Sequence, residues 1–121
     1  MSTRSQTRIN IGDERVLTFY RHCDGYPSGH GCDLCNAIIK SGEDIVELLS
    51  LLRLCEIELE PADVKTHGDV EYEYEVTYPT WGFKPEGRDI NVRVRHVRSK
   101  TVVYEGTPKE VRMAIVMGKT R

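Results

Sequence analysis

Residues 20–31 carry an unusual density of side chains that could bind a ligand. The arginine and two histidines of this segment can donate hydrogen bonds, and a tyrosine can stack on a base. Glycines leave the main chain bare just before a predicted helix, and exposed amides at a helix N-terminus can hold an anion. These features predict a site for a phosphate-bearing ligand such as a nucleotide, although the lysine of a P-loop is absent. The candidate ligand-binding residues are Arg21, His22, Asp24, Tyr26, Gly29, His30 and Gly31.

The same loop has two other interpretations. It can be a structural staple, in which Asp24 caps a tight turn with Gly25, His22 bonds loop carbonyls, and the glycines relieve crowding between strand and helix. It can also belong to a small hydrolase, in which His22 or His30 acts as a general base beside Asp24. That role requires a histidine aimed at a substrate, which the sequence alone does not place.

The cysteines allow a metal site but do not favour one. Cys32 and Cys35 have the Cys-x-x-Cys spacing, and Cys23 and His30 precede them, so the four could form a tetrahedral zinc set. However, zinc modules usually use two spaced pairs, and the second pair is missing. Cys35 also falls on the apolar face of the predicted helix. We therefore expect structural thiols, no metal and no cofactor, with a catalytic thiol as a further alternative.

The elements that must position the loop begin with a hairpin. Alternating apolar residues predict strands around 9–11 and 15–22. After the glycine-rich loop, apolar spacing predicts a helix over 32–40. A second helix should cover 42–54, with Ser41 as its N-cap. Its apolar residues cover most of the circumference, so we expect it to be the most buried element.

The second half of the chain predicts a three-stranded antiparallel meander. Residues 70–78 and 90–96 alternate cleanly between apolar and charged, and a third strand should follow over 101–105. A register that places Glu75 opposite Arg93 also places an acid opposite an arginine two residues along, so charge supports the pairing.

The clearest local signal is a helix start near the C-terminal end. Thr107 is a favoured N-cap, Pro108 occupies the first helical position, and Glu110 completes a capping box. Gly118 stands where a C-terminal cap belongs. The chain therefore predicts one α+β domain over 1–121, with 1–6 frayed. Its expected buried face comprises Leu17, Ile38, Ile45, Leu48, Leu49, Leu52, Tyr72, Tyr74, Val76, Val92, Val94, Val111 and Ile115.

Charge is distributed very unevenly along the chain. The total is −2, but residues 43–75 carry eleven acids and two bases, whereas 88–121 carry nine bases and three acids. The two sets can neutralise each other across the sheet. Alternatively, the acidic segment engages a basic partner, helped by aromatic residues at the hairpin tip. The candidate partner-binding residues are Glu56, Glu58, Glu60, Trp81 and Phe83.

The segment Tyr20-Arg21-His22-Cys23-Asp24-Gly25-Tyr26-Pro27-Ser28-Gly29-His30-Gly31 resembles a family of small, uncharacterised phage, prophage and actinobacterial proteins. Their shared pattern is Tyr-Arg-His-x-Asp-Gly-Tyr-Pro-x-Gly-x-Gly. The match covers these twelve residues, about a tenth of the chain. That family often has an aromatic residue where Cys23 stands, and its helix does not typically carry cysteines at 32 and 35. The resemblance implies a mobile-element context rather than a mechanism.

Composition narrows the class of function. The small negative net charge disfavours direct nucleic-acid binding. The longest apolar stretch, 45–54, is too short and too charged to span a membrane. Without an export signal, we expect the host cytoplasm. The leading hypothesis is a non-enzymatic accessory protein that binds a host or defence-system protein, including inhibition of a CRISPR complex. A nucleotide-binding signal sponge is the first alternative, a small hydrolase is the second, and a homodimer is left open.

Overall fold

A computed structural model of the chain describes residues 3–42, 44–79 and 90–118. Within these residues, six strands form one mixed sheet, and three helices contribute to the apolar core on one of its faces. The strands are β1 (Ser5–Ile11), β2 (Glu14–Arg21), β3 (Ile57–Glu60), β4 (Tyr72–Tyr78), β5 (Asn91–His96) and β6 (Thr101–Gly106). The helices are α1 (Cys32–Ser41), α2 (Ile45–Leu52) and α3 (Pro108–Val116), with a π-helical turn at Pro27–Gly31 and a 3-10 turn at Arg53–Cys55. The α+β class, the N-terminal hairpin and the C-terminal helix are confirmed.

The sheet has the strand order β3-β2-β1-β4-β5-β6. Its central contact is the parallel pairing of β1 with β4, which joins the hairpin to the meander. The sequence predicts the hairpin and the meander but no pairing between them, so this junction and the edge strand β3 are additions. Ser5 and Gln6, expected in a frayed terminus, are instead fully buried in β1. Both residues belong to β1, and this strand forms main-chain hydrogen bonds with a neighbouring strand on each side.

The charge-based register is confirmed. Glu73 pairs with Arg95 and Glu75 with Arg93 across β4 and β5. On the opposite face, apolar residues of the strands meet the helices in one core. Nine of the thirteen residues expected in it are buried, and the other four pack against it partly exposed. Those four are Leu17, Ile45, Leu49 and Tyr72.

The helix boundaries follow their caps. In α3, Thr107 and Glu110 form the predicted capping box, and Gly118 takes a positive φ of 68° after the helix. The cap expected for α2 was wrong. Gly42, with φ +63°, ends α1 after Ser41, and the Asp44 side chain accepts from the main chain of α2 instead.

The expectation that α2 is the most buried element was also wrong. Only Leu48 and Leu52 of this helix are buried, whereas every residue of β1 is. Val46 is 75% exposed, and it lines an open groove together with Leu59 of the edge strand β3.

Candidate functional site

The turn at 27–31 places His30 inside the protein, with no exposed surface. Its ring makes edge contacts with Phe19 and Tyr74, at centroid distances of 6.0 and 4.8 Å. The ring Nε2 lies 2.8 Å from the Thr7 hydroxyl, and Nδ1 lies 3.2 Å from the Arg21 guanidinium. Both ring nitrogens are therefore engaged within the protein.

These contacts fix the protonation of His30. A guanidinium only donates, so Nδ1 accepts from Arg21, and Nε2 must carry the hydrogen that it donates to Thr7. Burial, with a further contribution from the Arg21 charge, lowers the pKa of His30 to about 3. The ring is neutral at physiological pH and closed to solvent, so it has no free nitrogen to accept a proton from a substrate or to bind a metal.

Arg21 connects this core to the surface. Its side chain is almost fully buried, and its Nη1 donates to Asp33 at 3.0 Å. The Asp24 carboxylate lies 3.9 Å from Nη2, and the Cys55 thiol donates to Asp33 at 3.6 Å. The Arg21 Nε is buried, and no atom of the described residues forms a hydrogen bond with it. Arg21, which was predicted to hold a ligand, is thus engaged largely by acidic side chains of the protein itself.

Main-chain amides of the loop are also used internally. Those of Gly25, Gly29 and His30 donate to carbonyls of Thr3, Tyr26 and Asp24 at 2.7 to 2.9 Å. A Cβ added at Gly25 would lie 2.8 Å from the Ser5 Cβ, and a Cβ added at Gly29 would lie 2.6 Å from the main-chain carbonyl oxygen of Asp24. At Gly31 it would lie 3.0 Å from Ile115. The glycines thus permit close packing of the loop, as in the staple interpretation.

Three predicted ligand-binding residues, His22, Asp24 and Tyr26, keep exposed side chains. Tyr26 is 39% exposed and its hydroxyl donates to Asp24 at 3.2 Å. A cleft of about 280 Å³ lies beside Tyr26, Pro27 and Ser28, closed by residues of β4, β6 and α3. His22 continues from β2 on the other face of the sheet, where it lies 3.2 Å from Glu58. The structure therefore divides the predicted ligand-binding residues between two faces.

The cysteines do not converge on a common point. Among residues 3–42, 44–79 and 90–118, no group of three or more His, Cys, Asp or Glu side chains could hold a metal ion. Burial, with the nearby Cys32, raises the pKa of the Cys35 thiol to about 12, and burial also raises that of Cys32. These shifts disfavour the reactive thiolate that a catalytic cysteine requires.

The polar face of the sheet neutralises much of the predicted acidic surface. Glu73 accepts from Arg8 at 2.9 Å, from Thr66 at 2.8 Å, and from Arg95. Burial raises the pKa of Glu73, but the three hydrogen bonds outweigh it, so the net shift is downward. Glu75 is bonded by Asn10 and lies near two further arginines.

Residues 61–70 cross this face as a strap. Their carbonyls at Ala62 and Val64 accept from Thr18 and Arg8, at 2.7 and 2.8 Å. The strap buries the polar side of β1, where Gln6 and Arg8 are 0% and 5% exposed. This explains how a strand with alternating polar residues is buried on both faces.

The three candidate partner-binding glutamates differ. Glu60 accepts from Gln6 at 2.9 Å and contacts His67, and its side chain is only 15% exposed. Glu58 is 64% exposed and Glu56 is exposed, with a φ of +58° that turns the chain into β3. Only the latter two are presented outward. Trp81 and Phe83, the other candidates, lie outside the described residues.

An exposed apolar surface lies beside these glutamates and was not predicted. Leu59 of β3 and Val46 of α2 are 61% and 75% exposed. They line an open groove of about 430 Å³. We call this the β3–α2 surface; its residues are Val46, Leu49, Ser50, Arg53, Ile57 and Leu59. The sequence signal was present in the alternation of Ile57, Glu58, Leu59 and Glu60, but it spans only four residues.

Comparison of the chain with protein-family models, with curated proteins and with solved structures found no match. Within the described ranges, none of the helices has the length and apolar character needed to cross a lipid bilayer.

Proposed function

We propose that this chain is a non-enzymatic accessory protein of a phage or other mobile element, and that it acts by binding a host or defence-system protein through the β3–α2 surface. The observation that carries the proposal is the exposure of Leu59 and Val46 together in one groove. Large exposed apolar groups that share a groove are typical of interaction sites, whereas single exposed ones are common on any surface.

Charged residues next to the groove in the sequence support a protein partner. Within residues 45–60, Glu47, Glu56 and Glu58 are exposed acids, and Arg53, which lines the groove, is an exposed base. An apolar patch accompanied by exposed charged residues is the usual anatomy of a transient protein interface. The excess of acids favours a basic partner surface and speeds its association. The mobile-element context rests on the resemblance of residues 20–31, and counter-defence, including CRISPR inhibition, is the activity that we propose to test first.

The test combines affinity capture with an interference assay. Host cells with an active CRISPR system receive the wild-type protein or the double variant Glu56→Lys, Glu58→Lys. Glu60 is left unchanged because it bonds Gln6 and His67. The matched control is Asp13→Lys, Glu14→Lys, which makes the same charge change on two exposed residues, one in the β1–β2 turn and one at the start of β2. We expect the wild type and the control, but not the Glu56/Glu58 variant, to capture the partner and to relieve interference.

Equal capture and equal activity for all three proteins would refute the role of this surface. Because surface interactions between charges are screened by salt, capture by the wild type should also weaken as the salt concentration rises. Capture that is insensitive to both salt and charge reversal would contradict the role of Glu56 and Glu58 in binding.

A phosphate-ligand function is the second candidate, and the cleft beside Tyr26 is the observation that favours it. The cleft has about 280 Å³, close to the lower end of the range for small-molecule sites. Tyr26 offers the exposed ring that could stack on a base. Calorimetry against a panel of nucleotides tests this function, with Tyr26→Ala as the control. Heat of binding that disappears in Tyr26→Ala would support it, and no heat across the panel would remove it.

A further inference from the structure

The β3 strand is an open edge of the sheet. In the part of the chain that the structure describes, β3 pairs with β2 alone, antiparallel, from Ile57 opposite Arg21 to Glu60 opposite Thr18. The alternate main-chain groups of an antiparallel edge strand point away from its neighbour. The strap at 61–70 leaves β3 and crosses the polar face of the sheet instead. The outward N–H and C=O groups of β3 are therefore placed to pair with a further strand.

Side chains beside this edge define what such a strand would carry. Leu59 stands opposite Phe19 and Ile57 opposite Arg21, so both project from the helix face of the sheet. There they form one groove with Val46 and Leu49. Because side chains alternate along a strand, every second residue of an added strand would enter this groove. Those residues must be apolar to cover it.

The intervening residues of an added strand would face the other side of the sheet. On that side β3 presents Glu58, which is 64% exposed and lies 3.2 Å from His22. Opposite charges on neighbouring strands stabilise the pairing, and like charges destabilise it. Lysine or arginine at these alternate positions therefore complements β3.

Within the described residues, neither edge strand of a second copy of this chain supplies the required strand. Pairing β3 antiparallel with another β3 sets the glutamates of one strand beside those of the other, which is unfavourable. The opposite edge of the sheet, β6, has the sequence Thr-Val-Val-Tyr-Glu-Gly and carries an acid but no base. The occupant that fits is a segment of a different protein.

We infer that the β3 edge takes up, by strand addition, an extended segment of a partner protein in which apolar residues alternate with lysine or arginine. This inference rests on the proposed function, since it specifies how the β3–α2 surface binds. Main-chain hydrogen bonds along the edge supply affinity, and the groove together with Glu58 supplies selectivity, as in other β-augmentation complexes.

The test uses the full chain and a short peptide of alternating valine and lysine. Binding is followed by NMR chemical shifts and amide exchange, and the dissociation constant is measured with a fluorescent peptide. We expect shifts confined to β3, α2 and their flanks, and slowed exchange of outward amides in Ile57–Glu60. Three altered peptides probe the mode of binding: one with glutamate for lysine, and two with N-methyl groups on alternate amides, one set on each edge of the peptide.

Leu59→Asp is expected to weaken the valine–lysine peptide at least tenfold, because the exposed leucine would be covered in the complex. The matched control is Val102→Asp on β6, where Val102 is 48% exposed. It should bind the peptide as the wild type does. Circular dichroism checks that both variants stay folded. The glutamate peptide should bind at least tenfold more weakly, and one of the two N-methylated peptides should lose binding.

Three results would overturn strand addition: no binding of the valine–lysine peptide at millimolar concentration, equal binding of both N-methylated peptides, or shifts confined to β6. If any of these occurs while partner capture still depends on Glu56 and Glu58, the proposed function stands and only the mode of binding fails. If capture is also indifferent to those glutamates, both fail.

Discussion

Acidification should destabilise this protein through one buried side chain, His30. Its pKa is about 3 in the folded protein, because burial and Arg21 disfavour the imidazolium, against an ordinary value of 6.5. Between these values the unfolded chain binds more protons than the folded one. The free energy of unfolding therefore falls as the pH drops from 6.5 towards 3, and this contribution is fully present above 6.5.

The size of the effect follows from the shift. One unit of pKa corresponds to about 1.4 kcal/mol. Because His30 takes up a proton near pH 6.5 only in the unfolded chain, the free energy of unfolding should be lower by about 2 kcal/mol at pH 5 than at neutral pH. For a protein of this size, that is a substantial part of a total stability of about 5–15 kcal/mol. Acids such as Glu73, whose pKa is lowered, lose their contribution only at lower pH.

Urea unfolding followed by circular dichroism at pH 7, 6 and 5 measures this dependence. The comparison is with His30→Gln, whose amide can still donate towards Thr7 but does not titrate. We expect the variant to be less stable at pH 7 by about 1–3 kcal/mol, since the Arg21 contact is disturbed. That deficit should shrink by about 2 kcal/mol at pH 5. Parallel pH profiles for the two proteins would refute the buried, neutral histidine.

Three further outcomes follow from the structure, each measured by urea unfolding at neutral pH. Gly25→Ala should destabilise the protein by about 1–3 kcal/mol, because its Cβ would lie 2.8 Å from that of Ser5. Gly68→Ala, whose Cβ would meet no atom of the described residues within 4 Å, should change stability by less than about 0.5 kcal/mol. Equal effects would contradict the staple. Thr107→Ala should cost about 1 kcal/mol through loss of the capping box, and no change would show that the cap is immaterial. Glu73→Gln should cost about 3 kcal/mol, because it leaves the Arg8 charge buried without its carboxylate partner. An unchanged free energy of unfolding would mean that groups other than Glu73 stabilise the buried Arg8 charge.

Local chemistry predicted much of the fold. The capping box at the start of α3 and the charge register between β4 and β5 each depend on residues close in sequence or paired by a clear alternation. The pairing of β1 with β4 could not be predicted in the same way. It joins segments that are far apart along the chain, and the alternating polar residues of β1 are typical of a strand at the protein surface. They are buried only because the strap and the acids of β4 satisfy them.

The candidate site was predictable only in part. The density of polar residues in 20–31 predicts a ligand site, but the sequence could not show that His30 points inward between Phe19 and Tyr74. Nor could it separate Glu60, which bonds within the protein, from the exposed Glu58. The sequence does not indicate the apolar groove, because the apolar spacing of the segment that contains Val46 predicts the most buried element of the fold. A helix at the margin of a sheet has the same apolar spacing as one inside the core.

We propose that this protein binds its partner through the β3–α2 surface and not through the glycine-rich loop. The most direct measurement is quantitative capture of the partner from host lysate by four proteins: the wild type, Leu59→Asp, Val102→Asp and Tyr26→Ala. We predict that Leu59→Asp alone loses the partner while remaining folded, because Leu59 is the exposed apolar residue of the β3 edge. Retention by Leu59→Asp together with loss by Tyr26→Ala would contradict the claim and assign binding to the loop.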